Sequence, residues 1–522
     1  MNHIELFAGC GGLCLGLQRA GFDLLMANEL SPMAAETFAF NILNENLQKS
    51  SDKAQHTLWL SSQFSRDSMA RRLREDPRQY PEGNLNSEFL EDGSNLQGSM
   101  VVGNVIGLNN WLEQHPKALE ALRCNFGEGE VDLVSGGPPC QSFSLAGLRE
   151  KNNEKNSLPW EFARFANLIQ PKVVLLENVT GILRPFVENG KKYYAWFEVA
   201  KAFAEIGYIP LTLHINAKFA GVAQNRPRFI LIAVRKDVFQ KLEKSLSESE
   251  KQLFASAIAF SKKIQKGAET KIGDLDVFDL NQDDESVFAL FEKTFLKPLC
   301  SHRKHLVSVQ EAIGDLSSLE LPLSKYVKHI NKEFSPLIKH SSTDLDWSHR
   351  IVENNETVKA RFRVYQVMNL LTPESKKEVG KILAGKTMHF STSAWKELAQ
   401  HQLLLLDGKM KTLKTQKELE SFLAQLITKK QTQRALVPDT PAPAALSIPD
   451  DACHYVDLRT LTAREMARIQ SFPDNFIFRS KMTTGGLNRR FEVPIFTQIG
   501  NAVPVLLGKA LGESIKALLA KL

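Results

Sequence analysis

Six cysteines in 522 residues are too few for a disulfide framework, and no pair has CxxC spacing with histidine partners. Neither a stapled fold nor a structural metal is expected. No stretch reaches the roughly 18 uncharged apolar residues of a membrane span, so no membrane partner is expected. The N-terminus, Met1-Asn-His-Ile-Glu5, shows no charged leader before a cleavable apolar segment, which makes the cytoplasm the expected location. No internal repeat is visible. Charge of one sign is also modest: a net +6 with pI near 8.8 permits a nucleic-acid partner without requiring one. What remains is an ordinary globular composition, 43% hydrophobic and 24% charged, in a chain long enough for two or three domains.

The first residues, Ile4-Glu-Leu-Phe7, read as a buried strand, followed by the glycine loop Ala8-Gly-Cys-Gly-Gly12 and a helix over 13–20. A second strand, Phe22-Asp-Leu-Leu-Met-Ala-Asn-Glu29, ends in a carboxylate. Further strands are expected at 131–135, 173–176 and 229–234, with helices over 160–169 and 197–206 between them. This alternation indicates an α/β fold, a doubly wound, mostly parallel sheet that binds its ligand at the carboxyl ends of the strands. Residues 42–100 interrupt it and read as an insertion, with a helix near 65–74. From 236 to 453 the alternation is lost and a proline-rich connector, Val437-Pro-Asp-Thr-Pro-Ala-Pro-Ala-Ala445, closes the stretch, which predicts a separate, smaller domain. Helices over 462–471 and 503–520 follow.

One run stands out: Val131-Asp-Leu-Val-Ser-Gly-Gly-Pro-Pro-Cys140-Gln-Ser-Phe-Ser144 ends an apolar strand at a stiff Pro-Pro turn that presents a thiol. Alone, such a cysteine is as readily a small core residue as a nucleophile. Glu177, after the apolar Val173-Val-Leu-Leu176, falls at the same sheet edge as Cys140 and Glu29, where a carboxyl group suits the ring nitrogen and amine of a pyrimidine. The arginines of Gln224-Asn-Arg-Pro-Arg228 precede another strand and reach for a carbonyl oxygen or phosphate. Singly, each has a bland alternative, a capped strand end or a surface ion pair. Their ordered occurrence together does not.

With these residues in order, the chain resembles the S-adenosylmethionine-dependent DNA (cytosine-5)-methyltransferases. The matching segments are Phe7-Ala-Gly-Cys-Gly-Gly12, Asn28-Glu29, Gly136-Gly-Pro-Pro-Cys-Gln-Ser-Phe-Ser144, Glu177-Asn-Val179, Gln224-Asn-Arg-Pro-Arg228, the stretch from Arg459 to Pro473, and Gln498-Ile-Gly-Asn-Ala-Val-Pro504. The resemblance covers 1–235 and 454–522. It implies a Rossmann-like catalytic domain over 1–235, a target-recognition domain over 236–453, and a C-terminal segment, 454–522, that returns to the catalytic domain.

It also implies roles. Cys140 is the nucleophile toward carbon 6 of a flipped cytosine, Glu177 binds the ring nitrogen and amine, and Arg226 and Arg228 hold the base carbonyl and nearby backbone. Phe7, Gly9, Gly12, Glu29, Pro138, Asn501 and Val503 surround S-adenosylmethionine. Cys10 belongs to the same loop, where packing is its expected role because no general base adjoins it. Asn104 stands where the family carries an Asp for the adenine amine; an amide oxygen accepts the same bond. Arg459, Thr462, Arg464 and Gln470 are structural organisers. The implied partners are duplex DNA and a cognate restriction endonuclease, and the implied state is a monomer in a bacterial cytoplasm, associated with the nucleoid through DNA. Two rivals stay open: a transfer-RNA methyltransferase of the same family, which the large 236–453 stretch disfavours, and a DNA-binding module without catalysis, which Cys140, Glu177 and Arg228 disfavour.

Overall fold

Continuous apolar runs set the architecture. Val173-Val-Leu-Leu176 and the run from Phe229 to Val234 are fully buried, which a strand achieves with helices on both faces of its sheet. The computed structural model describes residues 1–48, 55–79, 87–139, 158–188, 191–280, 284–340, 345–430, 432–444 and 448–522. Among them, one nine-stranded sheet is formed by β1 (Asn2–Leu6), β2 (Asp23–Glu29), β3 (Thr57–Trp59), β4 (Ser99–Val102), β5 (Leu133–Gly136), β6 (Val173–Val179), β7 (Tyr208–Asn216), β8 (Pro227–Arg235) and β9 (Val277–Asp279). The order is β9-β7-β8-β6-β5-β1-β2-β4-β3. All neighbours are parallel except β8, which runs antiparallel to β6 and β7.

Helices cover the sheet in two layers. One contains α1 (Gly12–Ala20) packed on the last helix, Val505–Leu519; the other contains α2 (Val105–Gln114), α3 (Leu158–Ile169), α4 (Ala195–Glu205) and α5 (Glu248–Gln265). The chain winds from β1 toward β2 on one side and returns to β5 on the other. The strand order therefore reverses between β1 and β5, and the crevice outside their carboxyl ends is where such a sheet binds ligands. The expected doubly wound sheet is present.

Two expected boundaries move. Residues 236–340 do not leave the first domain: Val238, Phe254, Phe288, Val309 and Ile338 are buried in the same core as the sheet strands, and β9 pairs with β7. The periodicity of β strands is absent there because the stretch covers the sheet with helices. A separate core begins only later, with Ala360, Phe362, Val364, Leu419, Leu423 and Cys453 among its members. The 42–100 stretch likewise is more than an interruption, since it supplies β3 at the sheet edge and the first half of β4 beside β2. The nine-residue β7 was not foreseen; Pro210 breaks its pattern, yet β7 pairs along its whole length with β8.

The C-terminal segment returns to the first residues through glycine. A Cβ on Gly16 would stand 2.5 Å from both Lys509 N and Val505 O, and one on Gly12 would stand 2.4 Å from Val503 O. Only backbone on backbone fits there. The segment 459–476 is a buried hub: Arg459 pairs with Glu465, Thr462 caps its helix reciprocally with Glu465, Arg464 donates to the carbonyls of Pro473 and Phe476, and Gln470 donates to Ile499 O. Every one of these bonds is internal to the protein, as structural organisers require.

Candidate active site

The parallel register brings the strand ends level. Leu6 pairs with Asn28 and with Gly136, and Gly136 pairs with Leu176, so Phe7, Glu29, Gly137 and Glu177 emerge at one edge. At the switch point the chains are close: a Cβ on Gly136 would lie 2.5 Å from Leu6 O, and one on Gly137 would lie 3.0 Å from Glu177 Oε2. The Gly-Gly before Pro138 is thus dictated by its neighbours.

On the β1–β2 side the turn after Leu6 takes left-handed backbone at Phe7 (φ 56°), Gly9 (φ 56°) and Gly11 (φ 96°). This aims the Gly9 N–H at Glu29, which accepts at Oε2 from Gly9 (2.8 Å) and at Oε1 from Ser31 N–H (2.8 Å). Burial holds the Glu29 carboxyl above its ordinary value, against the pull of these amides, and no cation pairs with it among the described residues. Each carboxylate oxygen keeps a second lone pair. Gly9 has nothing within 4 Å of where a side chain would stand. Open space above a turn, beside a carboxylate ready for neutral hydroxyls, fits the ribose of an adenosine-type ligand. Asn28, buried behind Glu29, donates to the carbonyls of Val101 and Gly103 and locks the β2 and β4 ends together.

Other cofactor candidates scatter around this turn. Asn104 is exposed, and its Oδ1 caps α2 by accepting from Ile106 N–H at 3.0 Å, which leaves it one lone pair for a ligand. Gly12 faces Val503 O rather than open space, so its part is close packing. Cys10 is buried, with Sγ 3.7 Å from Gln498 O, and burial pushes its thiol up to about 12. A thiol so held is no nucleophile. Asn501 is exposed at the end of the helix Ile495–Asn501, and Val503 is half-buried beside Gly12.

On the β5–β6 side Glu177 meets Arg228 Nε at 2.6 Å, both nearly buried. Pro138 is buried, and its carbonyl accepts from Asn178 Nδ2 at 3.1 Å, which fastens the Pro-Pro turn to the end of β6. Cys140 itself lies outside the described residues. Arg226 is placed differently from Arg228: its Nη2 donates to Gly500 O (2.9 Å) and Ala502 O (3.0 Å), and Nη1 to Gln224 Oε1 (3.3 Å). Burial, then the neighbouring Arg228 charge, lowers its pKa. Two donors of Arg226 are thereby committed to the carbonyls on either side of Asn501, a different employment from holding a base.

Sequence reasoning passed over three supporting residues. Asn178 and Gln498 stood inside quoted motifs, but only the fold shows Asn178 on Pro138 and Gln498 bonded to Thr37, Met33, Arg479 and Val493. Gly137 carried no signal beyond its motif.

The family model for C-5 cytosine-specific DNA methylase matches residues 1–65 and 112–517. The chain is similar to the Type II methyltransferase M.DdeI of Desulfomicrobium norvegicum, 25% identical over 521 residues that cover 99% of this chain and 88% of that protein. It is 23% identical to the Type II methyltransferase M.XorII of Xanthomonas oryzae pv. oryzae, over 99% of this chain and 85% of that one. With M.Bpa9945I, a Type II methyltransferase of Bacillus paralicheniformis, it shares 25% identity over 99% of this chain and 98% of the relative. A match that runs from β1 into the closing helix, on a sheet whose switch point gathers these strand ends, makes the chain a member of the C-5 cytosine-specific DNA methylase family, which transfers a methyl group from S-adenosylmethionine to carbon 5 of cytosine in DNA.

Proposed function

We propose that the chain methylates cytosine within one specific duplex sequence, as the modification enzyme of a restriction-modification system, working as a monomer bound to the bacterial nucleoid alongside a cognate endonuclease. The Type II names of its relatives support the system. The observation that carries the site assignment is the Glu177–Arg228 pair beside Gly137, on the same edge as Glu29.

Carbon 5 of cytosine is a weak nucleophile. The Cys140 thiolate adds to carbon 6, and the displaced electron pair moves into the ring toward carbon 5. Glu177 accepts from the exocyclic amine and supplies a proton at the ring nitrogen, while Arg228 fixes that carboxyl and offers its remaining N–H groups to the base carbonyl. Covalent addition divides one hard step into two easier ones. S-adenosylmethionine, held by Phe7, Gly9, Glu29, Asn104, Pro138, Asn501 and Val503, supplies an electrophilic methyl on a cationic sulfur. Loss of the carbon 5 proton to water then restores the ring double bond and expels the Cys140 thiolate, and the ring nitrogen returns its proton to Glu177. A base inside a helix cannot reach this edge, so the target is flipped out at a cost of a few kcal/mol. Arg226 acts one layer back, as the brace of the segment around Asn501.

The body built on the core from Ala360 to Cys453 reads the sequence. The chain leaves that core after Ala435, and its next strand, Ala442–Pro443, already buried with the sheet, pairs with Gln224–Asn225 immediately before the site arginines. Incubation with labelled S-adenosylmethionine and either mixed-sequence duplex DNA or transfer RNA tests the substrate. Label is expected in DNA, and label in RNA alone overturns the reading. Cys140→Ser is expected to abolish methylation and keep cofactor binding; retained turnover would rule out the covalent route.

A further inference from the structure

The chain returns from the second body beside Gln224–Asn225, just before β8, and a smaller lobe follows β3 at the far end of the sheet. β3 is parallel to β4 with Trp59 level with Val102, which is itself level with Glu29, so the chain after Trp59 leaves the sheet at the same edge as the site. From β8, beside which the chain returns from the second body, to β3 is six strand steps, about 29 Å at roughly 4.8 Å per step.

The lobe, residues 60–79, is rigidly seated. Leu60 packs against Gly103 and Gly107, Arg72 is buried against the Trp59 ring at 3.9 Å and pairs with Glu88 at 2.7 Å, and Glu75 accepts from Ser62 Oγ and Gln63 N–H. Arg78 lies 4.7 Å over Phe491, tying the lobe to the loop before the helix Ile495–Asn501. Two arginines take no part in this seating. Arg71, in the short helix Met69–Arg72, and Arg74, in the turn that follows it, are exposed, and their guanidinium groups have no side-chain partner among the described residues. Of the stretch's carboxylates, Glu75 and Asp76 are engaged by Ser62, Gln63 and Arg78, leaving Asp67 to oppose them.

We propose that this lobe is a second DNA-binding wall, in which Arg71 and Arg74 hold backbone phosphates on the side of the cleft opposite the second body. The proposal rests on DNA being the substrate. Arginine on phosphate adds affinity and salt dependence without sequence preference, which suits a lobe set apart from the reading body along the edge.

The test measures binding of the full-length protein to long mixed-sequence duplex DNA between 50 and 200 mM salt, a range of the kind in which phosphate contacts register. In Arg71→Gln/Arg74→Gln the slope of log K against log salt should flatten by about 1.8, with binding weakened roughly tenfold at low salt. Arg71→Lys/Arg74→Lys should restore the slope. Lys241→Gln/Lys244→Gln, which removes the same charge at the opposite edge of the sheet, should leave it unchanged. Equal flattening by that control means bulk charge alone, and overturns the proposal. So does an unchanged slope in the arginine variant, or a loss confined to S-adenosylmethionine affinity measured by calorimetry. If the wild type neither binds nor methylates duplex DNA, the substrate reading fails first; if it does both and the variant matches it, only the wall fails.

Discussion

Glu29 and Glu177 both emerge from parallel strands on one edge of the sheet, yet Glu29 is held by the backbone amides of Gly9 and Ser31, whereas Glu177 is held by the guanidinium of Arg228. The difference divides the edge into two halves. A carboxylate among amides, raised by burial and without a cation, is an acceptor for neutral hydroxyls. A carboxyl group clamped at 2.6 Å by an arginine is fixed in direction, with a lone pair left to accept from an amine and an oxygen that, once protonated, donates to a ring nitrogen. On the assignment proposed above, one half binds the cofactor and the other manages charge during the reaction.

The largest effect should come from the reacting half. Glu177→Gln keeps the shape and removes the proton-transfer group, so kcat should fall by about 10²–10⁴ while the KM for S-adenosylmethionine stays within a few-fold. A fall in cofactor affinity instead of kcat would erase the division between the halves. Arg226→Ala comes next. It leaves the carbonyls of Gly500 and Ala502 unpaired, at about 1–3 kcal/mol for each buried group, and should raise the KM for S-adenosylmethionine more than the KM for DNA. Equal changes in both would place Arg226 with the base after all.

Glu29→Gln should be gentler still: roughly a tenfold to hundredfold rise in cofactor KM, the scale of a lost charged hydrogen bond, with kcat at saturation nearly unchanged. Because the Glu29 carboxyl is held above its ordinary value, the wild type should begin to lose cofactor affinity on acidification at a higher pH than an exposed carboxylate would allow. The Gln variant should show no such limb.

A fourth prediction has no effect at neutral pH. His3 is wholly buried on β1, 3.9 Å from Glu5, and burial lowers its pKa to about 4. Below its ordinary 6.5 the unfolded chain binds a proton that the folded chain refuses, so this contribution is complete above pH 6.5 and is lost as the pH falls toward 4, by about 3 kcal/mol. His3→Leu should flatten that limb of a denaturant-stability profile. An unaltered limb would mean that His3 takes up its proton without unfolding.

Much of this edge was legible because its residues sit at strand ends, where apolar runs stop and a polar group must follow. The places of Glu29, Glu177 and Arg228 at strand ends were read that way. Arg226 was not, because two arginines separated by one residue look alike in a motif; the direction of each depends on what β8 meets, and only the returning 498–504 segment offers Arg226 its carbonyls. The 236 boundary failed for a related reason. A stretch without strand periodicity looks like a new domain, but helices that cover a sheet face carry no such signal either.

Local apolar runs, turn residues and ordered motifs were enough for the strand-turn-helix opening, the mostly parallel sheet, the family and the chemical groups at the strand ends. Which side chains meet was left to the folded chain. It paired Glu177 with Arg228, turned Arg226 toward residues more than 270 positions away, and set β3 at the far end of the catalytic edge. Those outcomes depend on register and long-range packing, where a one-residue shift would send each side chain to the opposite face.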